Sequence, residues 1–123
     1  MRISYRQALE RTMTEPAMET VDGFGITAER QFADLWSRSV LTVKERRLLL
    51  LGLLVGQGLH DMTEVQLDVA LRAGELSEAE LREVAVFLTH YAGWARGAQL
   101  NGQVESLIER VRRARSDRSG PGG

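Results

Sequence analysis

An all-α fold follows from three features of the sequence. Apolar residues recur three and four positions apart along most of the chain. Hydroxyl–carboxylate pairs that start helices stand at Thr42 and Glu45 and again at Ser77 and Glu80, and no stretch alternates apolar with polar residues as a half-buried strand does. With 123 residues the chain can bury one modest core. The expected architecture is a compact bundle of about six helices in a single domain.

Residues 1–19 form a weak helix, with Ser4 as a cap and Ile3, Ala8, Leu9 and Met13 loosely on one side. So thin a stripe gains little by packing on its own subunit, which leaves two readings: an arm lying across a neighbour, or a loose end. Turn-forming residues 21–25 close this segment. Thr27 then caps a helix through Ser39, with Phe32, Leu35, Trp36 and Val40 at helical spacing. The third helix, residues 42–56, is apolar on nearly every side beyond its first turn. Such a helix must be surrounded by protein, and a chain this short has few helices to surround it, so the sequence predicts a homo-oligomer. Gly52, Gly56 and Gly58 either admit close helix approach or end this helix.

Asp61, with Glu64 at capping-box spacing, is the expected cap of a fourth helix. Met62, Val69, Ala70 and Ala73 share one face of it, and Gln66 points the same way. That amide is either a satisfied core glutamine or a hydrogen-bonding group facing a pocket. Gly74 supplies the stop. Ser77 opens a fifth helix with a main stripe of Leu81, Val84, Ala85 and Leu88 and a second stripe of Val86, Phe87 and His90. Two apolar faces predict a sandwiched helix, with His90 packed or lining a pocket. Tyr91 to Trp94 break the chain before a last helix of residues 95–114, whose stripe is Leu100, Val104, Leu107, Ile108 and Val111. Arg110, Arg112, Arg113 and Arg115 at its end suit the helix dipole. Residues 116–123 read as a disordered tail.

Composition narrows the function. A net charge of −1 with intermingled signs gives no electrostatic reason to expect nucleic acid as a partner. The absence of cysteine removes disulfides, thiolate nucleophiles, thiolate metal sites and dithiol redox chemistry. There is no histidine or carboxylate–histidine spacing for a metal and no glycine-rich phosphate loop, so neither metal nor cofactor is expected. No apolar run approaches the roughly twenty residues of a membrane span, and the first residues are too polar for a secretory signal. The expectation is a soluble, cytoplasmic protein without membrane attachment.

Three stretches carry a resemblance. DLWSRSVLTVKERRLLLLGLLVGQ (residues 34–57), ALRAGELSEAELREV (residues 70–84) and HYAGWARGA (residues 90–98) together resemble the carboxymuconolactone decarboxylase family, which shares its fold with the alkylhydroperoxidase-D-like proteins. The resemblance spans roughly residues 30–111. It implies an alkylhydroperoxidase-D-like helical domain over residues 26–115, flanked by the arm and the tail. It also implies assembly into dimers, trimers or hexamers with pockets at or near subunit contacts.

The peroxidase branch of that fold carries two cysteines, a histidine and a glutamate. The resemblance places these at Leu59, Met62, Gln66 and Arg47, none of which keeps the required chemistry. An alkyl group and a thioether cannot run a thiolate–disulfide cycle, so thiol peroxidase activity is excluded. The decarboxylase branch uses the same histidine position, where Gln66 can donate and accept hydrogen bonds but cannot shuttle a proton. For a cofactor-free lyase acting on a small carboxylated or lactone substrate, Gln66 is the expected enolate donor. Arg38 or Arg96 is the carboxylate clamp, His60 or His90 the acid, and Trp36, Tyr91 and Trp94 the pocket wall. The alternatives are a non-catalytic oligomeric binding module on the same fold, or an isomerase or cyclase using the same pocket.

Overall fold

The computed structural model describes residues 23–119. Five helices occur there: α1 (Gly23–Trp36), α2 (Val43–Gly56), α3 (His60–Arg72), α4 (Glu78–Ala92) and α5 (Trp94–Ser119). The expected first helix and the last four residues of the tail lie outside the described residues. The all-α class holds, with no strand among the described residues. Backbone contacts divide the chain into two units, Met1–Arg46 and Arg47–Gly123.

In the first unit, α1 begins and ends earlier than its expected span of residues 27–39. The turn after it is held by Arg46, whose guanidinium donates to the carbonyls of Arg38 and Leu41. Thr42 and Glu45 form the expected reciprocal cap of α2: the Glu45 amide donates to the Thr42 hydroxyl at 3.0 Å and the Thr42 amide to the Glu45 carboxylate at 2.8 Å.

The second unit contains the core. Leu51 and Val55 of α2, Leu67, Ala70 and Leu71 of α3, Leu81 and Ala85 of α4, and Leu100, Val104, Leu107, Ile108 and Val111 of α5 pack together with Leu76 of the α3–α4 turn. In α4 and α5 these are the stripes that helical spacing assigns to the interior, whereas in α3 the expected face of Met62, Val69, Ala70 and Ala73 is corrected: the core takes Leu67, Ala70 and Leu71, while Met62 and Val69 are only partly buried and Ala73 is exposed. Helix α2 ends in a Schellman turn: the Leu59 amide donates to the Leu54 carbonyl and the Gly58 amide to that of Val55. Gly58 sits at φ +72°, so it is the glycine that stops α2. Gly74, at φ +76°, closes α3 in the same way.

Helix α3 departs from its expected start. It begins at His60 with Leu59 as N-cap and no side-chain cap bond, because the Schellman turn delivers the chain into α3 one residue before Asp61. Ser77 instead makes a complete capping box with Glu80. Helices α4 and α5 form an antiparallel hairpin across Gly93. Its rungs run from Thr89 beside Gly97, through Arg82 with Glu105 at 2.8 Å, to Arg112 with Glu78. Helix α5 continues to Ser119, past the expected end near residue 114.

Candidate functional site

Three polar or aromatic groupings arise in the second unit, each set by a different helix pairing. The first is buried. Antiparallel α2 and α3 bring Arg47 against Gln66, whose side-chain oxygen accepts from the Arg47 guanidinium. Two further guanidinium nitrogens of Arg47 bond the Glu75 carboxylate, at 2.8 and 3.2 Å. Gln66 has no exposed surface, and Arg47 keeps only 6% of its own. Because the Arg47 nitrogen is a donor, the Gln66 oxygen must face it, which turns the amide nitrogen the other way. That nitrogen has no hydrogen-bond partner among the described residues. The two positions that the resemblance assigns to glutamate and histidine are therefore neighbours in space, and they hold a cation and an amide.

The second grouping is a small open cleft where the α2–α3 turn meets α5. Its wall includes His60, Thr63, Arg96, Gln99 and Gln103, and its volume is about 10 Å³, room for about one water. The fold accounts for each polar group. Arg96 lies over the Gly56–Gly58 turn, where its guanidinium donates to the Gly56 carbonyl and covers the last turn of α2. Parallel packing of α3 and α5 lets Gln103, from the buried side of α5, donate to the His60 carbonyl at 3.0 Å. Thr63 turns its hydroxyl back to the Leu59 carbonyl at 2.8 Å.

The third grouping is an exposed aromatic cluster where α4 meets α5. Phe87 and Tyr91 stack with ring centres 4.9 Å apart, and the His90 and Trp94 rings lie 5.9 Å apart. The Nδ1 of His90 is 2.9 Å from the Val86 carbonyl. Tyr91 is 79% and Trp94 75% exposed. His90, expected to be packed or to line a pocket, is exposed: the second stripe of α4 is apolar, but no described residue covers it, and Val86, Phe87 and His90 face outward.

Of the sequence-predicted site residues, His60 and Arg96 share the cleft. Gln66 is locked in the buried network, and His90, Tyr91 and Trp94 stand together on the surface. Trp36 and Arg38 belong to the first unit, where Trp36 is partly buried and Arg38 is exposed. Sequence reasoning missed Glu75, Thr63, Gln99 and Gln103. Glu75 lies 28 residues from Arg47 and Gln103 lies 43 from His60, so no local spacing announces either pairing. Among the described residues no group of three or more histidines, aspartates or glutamates is placed to hold a metal ion, and no helix is long and apolar enough to cross a membrane.

A model of the carboxymuconolactone decarboxylase family matches residues 24–105, about two thirds of the chain. The chain belongs to the carboxymuconolactone decarboxylase family. No curated protein and no solved structure matches it. This carboxymuconolactone decarboxylase family member has no cysteine in its sequence and therefore carries no thiolate nucleophile. All three groupings fall within the matched span.

Proposed function

We propose that this chain is a cofactor-free lyase acting on a small carboxylated or lactone substrate, with the chemistry moved from position 66 to the cleft between the α2–α3 turn and α5. The observation that carries this reading is the meeting of His60 and Arg96, 36 positions apart in sequence, on one polar-lined hollow. In such a reaction the bond from carbon to the carboxylate breaks, carbon dioxide leaves, and the electron pair passes into an enolate. Arg96 and the Gln99 amide would steady the enolate oxygen, and the His60 imidazolium would return a proton to carbon. Fixed donors in a site closed to water are worth more than the same donors in solvent.

The cleft of one chain is too small for such a substrate, so the reading includes a homo-oligomer whose second copy completes the pocket. Exposed Leu49 and Leu53 on α2, with Val86, Phe87, Tyr91 and Trp94, supply the apolar surface for that contact. Tyr91 and Trp94 do not line the cleft in their own chain and would act as pocket wall from a neighbour. His60→Gln should abolish carbon dioxide release from carboxymuconolactone, used as the probe substrate, while light scattering shows an unchanged oligomer mass. Full turnover in His60→Gln would remove this mechanism.

One observation favours a non-catalytic oligomeric module instead. Gln66 is fully buried and tied to Arg47, so the family's histidine position faces protein rather than substrate. An intact oligomer that releases no carbon dioxide from the probe and binds neither it nor simpler lactones would establish that second reading.

A further inference from the structure

The turn that joins α2 to α3 is braced from α5 at both ends. Arg96 donates to the Gly56 carbonyl and Gln103 to the His60 carbonyl, the latter at 3.0 Å. Positions 96, 99 and 103 stand on one face of α5, so the two braces lie about two helical turns apart with Gln99 between them. His60 needs such a brace. It is the first residue of α3, its N-cap Leu59 supplies no side-chain bond, and the α3 residues that enter the apolar core begin only at Leu67. An unpinned first turn frays, and a side chain carried there moves with it. Gln103 is 7% exposed and shares the inward side of α5 with Leu100, Val104 and Leu107, where an apolar side chain of the same length would fill the space. Only an amide also supplies a donor, and that donor is directed at the residue that carries the imidazole.

On the reading that this cleft is a catalytic centre, we propose that Gln103 is a positioning residue: it acts through His60, fixing the main chain there, and with it the imidazole, beside Arg96 and Gln99. A proton passes to carbon only from an acid held within hydrogen-bond reach, and a displacement of about 1 Å can cost on the order of a hundredfold in rate. Arg96 braces only the α2 end of the turn, with the left-handed Gly58 between its bond and His60. Gln103 bonds the α3 end directly. Because that bond is to the main chain, replacing Gln103 alters where the imidazole stands and leaves the Arg96 and Gln99 side chains as they are. The consequence is a loss of turnover rather than of affinity.

The test is Gln103→Met in the full chain, which keeps the length of the side chain and removes its donor. With carboxymuconolactone as probe, kcat should fall about tenfold or more while KM stays within about twofold. The chain has two histidines, so its imidazole proton spectrum holds one set of signals for His60 and one for His90, and His90 on the surface of α4 is an internal reference. In the native chain, NMR contacts should join the His60 ring to the Arg96 and Gln99 side chains. They should weaken in Gln103→Met, with the His90 signals unmoved and the melting temperature lowered by no more than about 4 °C. Unchanged His60 contacts would overturn the proposal, as would a loss confined to KM, or a large fall in melting temperature that moves the His90 signals too. A native chain that releases no carbon dioxide from the probe would refute the catalytic reading alone, and the His60 contacts then decide whether Gln103 positions the imidazole.

Discussion

The Arg47 guanidinium donates to the Gln66 side-chain oxygen in the interior of the second unit, and Glu75 balances its charge from the α3–α4 turn. A buried cation is tolerated only when such partners replace the water it has lost. Arg47→Met leaves the Glu75 carboxylate and the Gln66 oxygen without their donor and should cost about 3 kcal/mol in urea unfolding. Replacing Arg47 and Glu75 together by Met and Leu should cost less than Arg47→Met alone, because the stranded carboxylate is gone. A double replacement as damaging as the sum of the two singles would show that the pair is not coupled.

Gly97 sets the separation of α4 and α5. A Cβ at this position would lie 2.7 Å from the Thr89 Cα and 2.6 Å from its Cβ, besides striking the Thr89 hydroxyl. Glycine to alanine inside a helix is ordinarily favourable by about 1 kcal/mol. Here Gly97→Ala should instead destabilise by about 1–3 kcal/mol, since the helices must move apart. Adding Thr89→Ala should not restore stability, because the backbone contact remains. Full rescue, seen as a recovered melting temperature, would place the clash in the side chain alone.

Helix starts provide a paired test. Ser77→Ala breaks a complete capping box and should cost about 1 kcal/mol. Asp61 stands in the first turn of α3 without capping it, so Asp61→Ala should cost no more than about 0.5 kcal/mol through the helix dipole. Equal losses in thermal unfolding would mean that Asp61 caps α3 after all.

Acid should loosen the α4–α5 hairpin. The Glu78 carboxyl is held below the usual glutamate range chiefly by its hydrogen bond from Arg112, and that of Glu105 by its bond from Arg82. A carboxylate whose pKa is lower folded than unfolded binds fewer protons in the folded state. Its contribution is complete above the unfolded value and is lost as pH falls through the ordinary glutamate range toward the lowered one. Unfolding free energy should therefore decline on acidification through that window. The decline should be shallower in an Arg82→Gln, Arg112→Gln double variant, and an unchanged slope would assign acid sensitivity to other carboxylates.

How much of this was legible beforehand varies with the range of the interaction. The Ser77 and Thr42 caps, the Gly74 stop and the buried faces of α4 and α5 are local patterns that one helical turn already contains. The start of α3 was misplaced at Asp61 because the Schellman turn at Gly58 carries the chain into the helix earlier than a cap signal suggests. His90 reads as packed or pocket-lining because periodicity marks an apolar stripe without saying what covers it. Arg47 drew notice only as a position where a family residue was missing, since its partners lie 19 and 28 residues away.

The sequence by itself determined the all-α class, the lack of thiol chemistry and which faces of α4 and α5 go inward, because spacing, residue type and capping act within a few residues. Only the tertiary structure decided that Gln66 is bound to Arg47, that His60 meets Arg96, and that Gln103 reaches the His60 carbonyl. Those meetings depend on the pairing of helices distant in the chain, and packing of the whole core selects that pairing.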